Sequence, residues 1–248
     1  MKQFAHDSIV PNTESKQGKK QQVAEMFNKI AFRYDFLNRF LSAGIDVYWR
    51  KIAIKQLKQL QPKQVLDVAT GTADVALLTQ KMLKPQKIVG IDISEGMLDL
   101  GRKKITKAGL DAIIELQKGD SENIKFDNNS FDAITVAFGV RNFENLLQGL
   151  KEMNRVLKSG GKIVILEFSK PPKGLFRIFY QWYLKIIAPG FVQVFASDKG
   201  AYQYLNDSVM AFPEGNEFLQ ILENAGFTGS YQKRLTFGIC SIYSGIKP

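Results

Sequence analysis

Between residues 23 and 59, apolar side chains at Met26, Phe27, Ile30, Tyr34, Leu37, Phe40 and Leu41 recur every three or four positions, the spacing that gives a helix one apolar face. Gly44 breaks the rhythm, so the stretch predicts a cap of two helices. After Pro62 the texture changes to short β-rich runs at 64–69, 87–93, 113–117, 133–138 and 162–168, separated by helical stretches. That alternation predicts βαβ units and a parallel sheet. Gly160 and Gly161 end a helical pattern over 146–157, and the run Ile163, Val164, Ile165, Leu166 behind them has no polar face. It reads as the central strand of the sheet. Residues 171–213 are aromatic, broken by Pro and Gly, and too long for a simple connection, which predicts an inserted lid. A helix over 217–225 stops at Gly226, and two strands around a turn near 236–238 predict a terminal hairpin. The expected fold class is α/β: a doubly wound, mostly parallel sheet of seven strands in one domain over 23–248, after a flexible polar tail over 1–22.

The tail has no apolar run of the kind a secretory signal needs, and no stretch approaches the roughly 20 apolar residues of a membrane span. Cys240 is the sole cysteine, which excludes an internal disulfide and a multi-cysteine metal site. A reducing, cytoplasmic setting and no metal are therefore expected. Thirty-four basic residues against 24 acids give a net charge of +10, a bias toward anionic surfaces such as nucleic acid or phospholipid head groups.

Chemistry is concentrated in Val65-Leu66-Asp67-Val68-Ala69-Thr70-Gly71-Thr72-Ala73-Asp74: a buried strand ending in an acid, a turn of small residues, then a helix start. Doubly wound folds bind nucleotides at such a turn. A pyrophosphate grip wants three glycines, and only Gly71 is present. Asp92 closes the next strand about 20 residues later, where a carboxylate can accept both ribose hydroxyls. Adenine and ribose without phosphate fit this mixture, and S-adenosylmethionine (SAM) is such a ligand. Its sulfonium suits nearby acids such as Asp67 and Asp74. The plainer alternative is that Gly71 only turns the chain and Asp92 only caps a helix. A third loop, Lys118-Gly119-Asp120-Ser121-Glu122, can meet the adenine edge, although a polar loop at a strand end is more often merely solvated.

These features together resemble the class I SAM-dependent methyltransferases. Further strings resemble one branch of them, the C-methyltransferases of menaquinone and ubiquinone biosynthesis: Tyr34-Asp35-Phe36-Leu37-Asn38, Gly44-Ile45-Asp46 with Trp49-Arg50, Phe138-Gly139-Val140-Arg141-Asn142, Leu166-Glu167-Phe168-Ser169-Lys170-Pro171, and Tyr202-Gln203-Tyr204-Leu205 running to Phe212-Pro213. The resemblance implies that Thr72, Asp92, Asp120 and Ser121 contact SAM. Two departures stand out: Thr70 and Ala73 replace usual glycines, and Ala137 replaces a usual serine, so Ala137 is not counted as a ligand. The implied substrate is a prenylated quinol, with demethylmenaquinol first, the 2-polyprenyl-6-methoxy-1,4-benzoquinol of ubiquinone synthesis second, and another small molecule third.

Methyl transfer to a ring carbon needs a neighbouring hydroxyl to lose its proton, and a phenol's pKa lies near 10. The sole histidine, His6, is in the predicted tail, and Cys240 sits in a strand pattern as a core residue. Arg141 and Asn142 follow the fourth strand at the sheet's carboxyl edge. They are the candidates to hold the ring oxygen, while water or a carboxylate takes the proton. The alternative for Arg141 is a structural ion pair with an acid such as Glu144. Tyr34, Tyr202 and Tyr204 are weaker candidates for lining the ring. The apolar segment 175–187, containing Arg177 and Lys185, reads as a wall for the prenyl tail and a peripheral contact with an anionic membrane at its inner face. A nucleic-acid partner is not expected, because the lysines are spread along the chain without an RNA-binding signature. The single glycine of the turn opposes a nicotinamide-dependent dehydrogenase. Sequence leaves oligomeric state open, a homodimer among the options.

Overall fold

The computed structural model describes residues 4–42, 44–170 and 199–248. Among these residues, seven strands form one sheet: β1 (Gln64–Val68), β2 (Lys87–Asp92), β3 (Ile114–Lys118), β4 (Phe131–Ala137), β5 (Leu157–Phe168), β6 (Thr228–Leu235) and β7 (Cys240–Ile246). Their order is β3-β2-β1-β4-β5-β7-β6. The first five run parallel, and β7 pairs antiparallel with both β5 and β6. The helices are α1 (Lys19–Leu41), α2 (Ile45–Lys55), α3 (Asp74–Leu83), α4 (Glu95–Lys107), α5 (Leu146–Val156), α6 (Lys199–Ala211) and α7 (Asn216–Asn224).

Side chains alternate between the two sheet faces with a period of two, and each face has its own apolar layer. Leu66, Ile134 and Ile163 meet Leu146 and Leu150 of α5 and Phe218 and Leu222 of α7 on one side. On the other, Val65, Ala133 and Val164 meet Trp49 of α2, Leu57 just past its end, Ala76 of α3 and Leu98 of α4. Each such fully buried Leu, Ile or Val contributes about 1.5–3 kcal/mol relative to exposure. Cys240 lies in the second layer as expected of a core residue, and burial pushes its thiol pKa up.

The expected doubly wound sheet and terminal hairpin are present, with three differences. The central strand is β4, because β7 folds back beside β5 and shifts the middle of the sheet by one strand. Gly160 and Gly161 lie inside β5, where its register against β4 shifts between Phe131 and Ala133. The residues read as a tail are folded from position 4 onward. Ala5–Ser8 forms a 3-10 turn that buries His6 beside Phe212, and α1 begins at Lys19. Lys19 Nζ donates to the His6 carbonyl at 2.7 Å, tying that turn to α1. Of the expected lid over 171–213, residues 171–198 lie outside the described residues, as does the apolar segment 175–187; 199–211 are helical as α6. Among the described residues no helix is long and apolar enough to cross a membrane.

Candidate active site

Strand β1 pairs with β2 on one side and β4 on the other, so the helices that follow β1 and β4 leave on opposite faces and a crevice opens at the carboxyl ends. The turn out of β1 is tightly wound: Ala69, Gly71 and Ala73 have φ of 53°, 55° and 65°. Only glycine adopts that region at no cost, and a Cβ on Gly71 would meet nothing within 4 Å, so conformation rather than space favours glycine there. Thr70 has a distinct use. Its hydroxyl donates to Asp67 Oδ2 at 2.7 Å, while Thr135 of β4 donates to Asp67 Oδ1 at 2.6 Å. Gly90 of β2 makes room for it, since a Cβ there would lie 2.8 Å from Thr70 Oγ1. Burial pushes the Asp67 carboxyl up to about 6, against the two hydroxyls that pull it down.

Asp92 ends β2 with both carboxylate oxygens engaged: Gly71 N donates to Oδ2 and Ser94 N to Oδ1, each at 2.8 Å. Burial nevertheless raises its pKa. A carboxylate has about four acceptor positions, so these amides leave capacity for a hydroxyl in the crevice. That crevice is a cavity open to solvent, with about 670 Å³ of empty space when its mouth is included. Gly71, Asp92, Asp120 and Ser121 line it on one side, Phe138 and Asn142 on the other. Helix α1 roofs it with Lys20, Val23 and Phe27. Lys20 Nζ holds Asp120 Oδ2 at 2.6 Å and Glu122 Oε2 at 3.3 Å, and Asn28 Oδ1 accepts from Ser94 Oγ and Gly96 N at the start of α4.

Of the sequence-predicted residues, Gly71, Asp92, Asp120, Ser121 and Asn142 line this cavity, and Asp67, Thr72 and Arg141 do not. Asp67 lies under the turn, held by its two threonines. The Thr72 hydroxyl accepts from Lys104 Nζ at 2.8 Å. Arg141 is 3% exposed, and its Nη1 donates to Glu167 Oε1 at 2.6 Å and to the Phe138 carbonyl at 2.7 Å. The alternative reading of Arg141, a structural ion pair, is the one met, with Glu167 in place of Glu144, because β5 brings that acid beside the turn after β4. Burial raises the Glu167 pKa, with the Arg141 charge opposing it. Ala137, set aside for lacking a hydroxyl, lines the cavity as well.

Asn142 closes the short 3-10 turn Val140–Asn142. Its Oδ1 accepts from the Tyr204 hydroxyl of α6 at 3.0 Å, and its Nδ2 reaches the Phe138 carbonyl at 3.5 Å. Sequence reasoning missed Lys20, Val23 and Phe27, which no motif marks, and Glu167 as Arg141's partner. The latter carried a signal: an acid in a strand buried on both faces requires a cation beside it.

The donor set suits an adenosyl group: apolar Val23, Phe27, Ile93 and Met97 for the base and the Asp92 carboxylate for ribose hydroxyls. Sheet order, a tight turn after β1 and an acid ending β2 define a class I SAM-dependent methyltransferase. A model of the ubiE/COQ5 methyltransferase family matches residues 15–247, and the chain belongs to that family. It is 46% identical over 234 residues to the demethylmenaquinone methyltransferase of Bacteroides fragilis, covering 94% of this chain and 96% of that one. It is 45% identical over 230 residues to the ubiquinone/menaquinone biosynthesis C-methyltransferase UbiE of Geobacter sulfurreducens, covering 92% of this chain and 90% of that one. Among solved structures, phosphoethanolamine N-methyltransferase 2 of Haemonchus contortus, bound to S-adenosylhomocysteine, superposes with a TM-score of 0.64 at 15% identity, over 91% of this chain and 60% of that longer one.

Proposed function

We propose that this chain methylates a ring carbon of a prenylated quinol with SAM as donor, demethylmenaquinol being the acceptor. The observation that carries the reading is the cavity around which the ends of β2, β3 and β4 bring Asp92, Asp120 and Asn142 together. SAM supplies an electrophilic methyl group on a sulfonium; the protein supplies position. Asp92 accepts the ribose hydroxyls, and Asp120 and Ser121 meet the adenine edge. Asn142, its carbonyl occupied by Tyr204, turns its amide N–H toward the acceptor's ring oxygen and favours the anion as the proton passes to water. Arg141 is a positioning residue in this scheme: tied to Glu167 and the Phe138 carbonyl, it holds the turn that presents Asn142.

A peripheral contact with an anionic membrane belongs to the same reading, because a prenyl chain resides in a bilayer. Incubation with methyl-labelled SAM and purified demethylmenaquinol is expected to yield labelled menaquinol. Label found only in the benzoquinol product, or in neither quinol, counts against this acceptor.

A further inference from the structure

Helix α2 packs on β5 beside α3, and side-chain bonds tie it and the residue after it to the β6–β7 hairpin. Trp49 Nε1 donates to Thr236 Oγ1 at 2.7 Å near one end, and Tyr231 donates to Gln56 Oε1 at 2.5 Å near the other. Two aromatic rings stand out of this surface: Tyr48 is 58% exposed and Phe237 is 75% exposed. Single exposed apolar residues are ordinary, so their setting decides whether they mean anything. Ile45, Tyr48, Ile52 and Lys55 fall on one helical face, with exposed Lys51 beside them. On β6, Lys233 is exposed on the face that carries α2, two residues from Tyr231.

The charge balance here is one-sided. Residues 45–64 hold five basic residues and one acid, and that acid, Asp46, is buried against Arg50. Residues 228–248 hold three basic residues and no acid. Of these, Lys51, Lys55 and Lys233 are exposed on the side of the sheet that carries α2, so the fold gathers there lysines that look dispersed along the chain. This side also adjoins the active site. Cys240, just after Phe237's turn, pairs with Phe168 at the carboxyl end of β5, and the Trp49 ring packs against Phe138, which lines the cofactor cavity, and against Phe168. Phe237 itself is held with φ of 54°. Such backbone persists in a non-glycine residue only where its surroundings enforce it.

We propose that the face built by α2 and the β6–β7 turn docks onto an anionic lipid bilayer. The tyrosine and phenylalanine rings enter the head-group layer, and Lys51, Lys55 and Lys233 meet lipid phosphates. The proposal rests on the prenylated-quinol reading for its purpose, since this face sets the cavity edge against the membrane where such a substrate lies.

Sedimentation of the full chain with vesicles tests it. Binding is expected to vesicles of phosphatidylcholine with phosphatidylglycerol, to be weak with phosphatidylcholine alone, and to fall at about 0.5 M salt. The double variants Tyr48→Ser/Phe237→Ser and Lys51→Glu/Lys55→Glu each should weaken vesicle affinity about tenfold or more. Both should methylate a tailless quinol analogue in solution at the wild-type rate, and a vesicle-embedded quinol more slowly. Variants that sediment like the wild type overturn the proposal, as does a wild-type chain that ignores anionic vesicles or binds RNA through these residues in their place. Loss of methyl transfer to every quinol while vesicle binding persists would count against the quinol reading and leave the docking face standing.

Discussion

The Tyr204 hydroxyl donates to the Asn142 carbonyl oxygen at 3.0 Å, joining helix α6 to the turn that ends β4. The Tyr204 ring is buried in a cluster with Val23 and Phe27 of the cavity roof and Met97 of α4. One side chain thus packs under the roof and sets the direction of an amide in the site. Burial raises its phenol pKa, so it is a donor at physiological pH. Tyr204→Phe keeps the ring and removes the bond. Quinol turnover is expected to fall about tenfold, the size of a lost hydrogen bond in a dry site, with SAM affinity little changed and the melting temperature close to wild type. An unchanged kcat would show that something else orients Asn142.

Asp92 and Gly71 form the second decisive pair. Asp92→Ala removes the acceptor proposed for ribose hydroxyls and leaves the Gly71 and Ser94 amides without their partner. Calorimetry is expected to show SAM affinity reduced by roughly two orders of magnitude, consistent with two charge-assisted hydrogen bonds. Retention of wild-type affinity would remove Asp92 from the cofactor site.

Arg141 and Glu167 form a buried pair, and breaking it from one side strands a charge in the core. Arg141→Met is expected to cost about 3–5 kcal/mol, read as a drop of roughly 10 °C in melting temperature. Adding Glu167→Leu should recover most of that stability, since an apolar pair replaces an ionic one at little net cost. Turnover should stay low in the double variant if the pair's role is to present Asn142. Full activity there would limit the pair to a folding role.

Asp67 predicts a pH dependence. Its folded pKa of about 6 exceeds the 3.8 of an unperturbed aspartate, so the folded state holds this proton more tightly than the unfolded one. The resulting stabilisation is complete below about pH 4 and lost as pH rises through about 6, a change of order 2–3 kcal/mol. Asp67→Asn lacks that loss. The melting temperature of the variant relative to wild type should therefore climb between pH 4 and 7. A difference that stays flat across that range would contradict an elevated Asp67.

Lys20 closes the cofactor roof through partly exposed ion pairs, each worth less than about 1 kcal/mol. Lys20→Met is expected to weaken SAM affinity by about two- to fivefold. The wild-type affinity should in turn decline with salt, and the variant's should not.

Much of this molecule was legible in the order of its residues. Strand and helix periodicity give the alternating elements, because burial of one face dictates a repeat of two or of about 3.6. Gly71 and Asp92 were legible because a tight turn and a strand-end acid are local requirements, met within a few residues of chain. Arg141 could be placed at the sheet's carboxyl edge, but its partner could not be chosen between Glu144 and Glu167, 3 and 26 residues away, since ion pairing depends on which strands become neighbours. The same holds for Asn142 and Tyr204, 62 residues apart, and for the roof that α1 places over the cavity. Thr72 shows the converse: a residue inside a motif can still face away, toward Lys104, because a turn's neighbours do not share one direction. Local chain geometry and side-chain hydrophobicity act over a few residues and are written in the sequence. Contacts between distant segments exist only once the sheet has closed and selected one register and one order of strands.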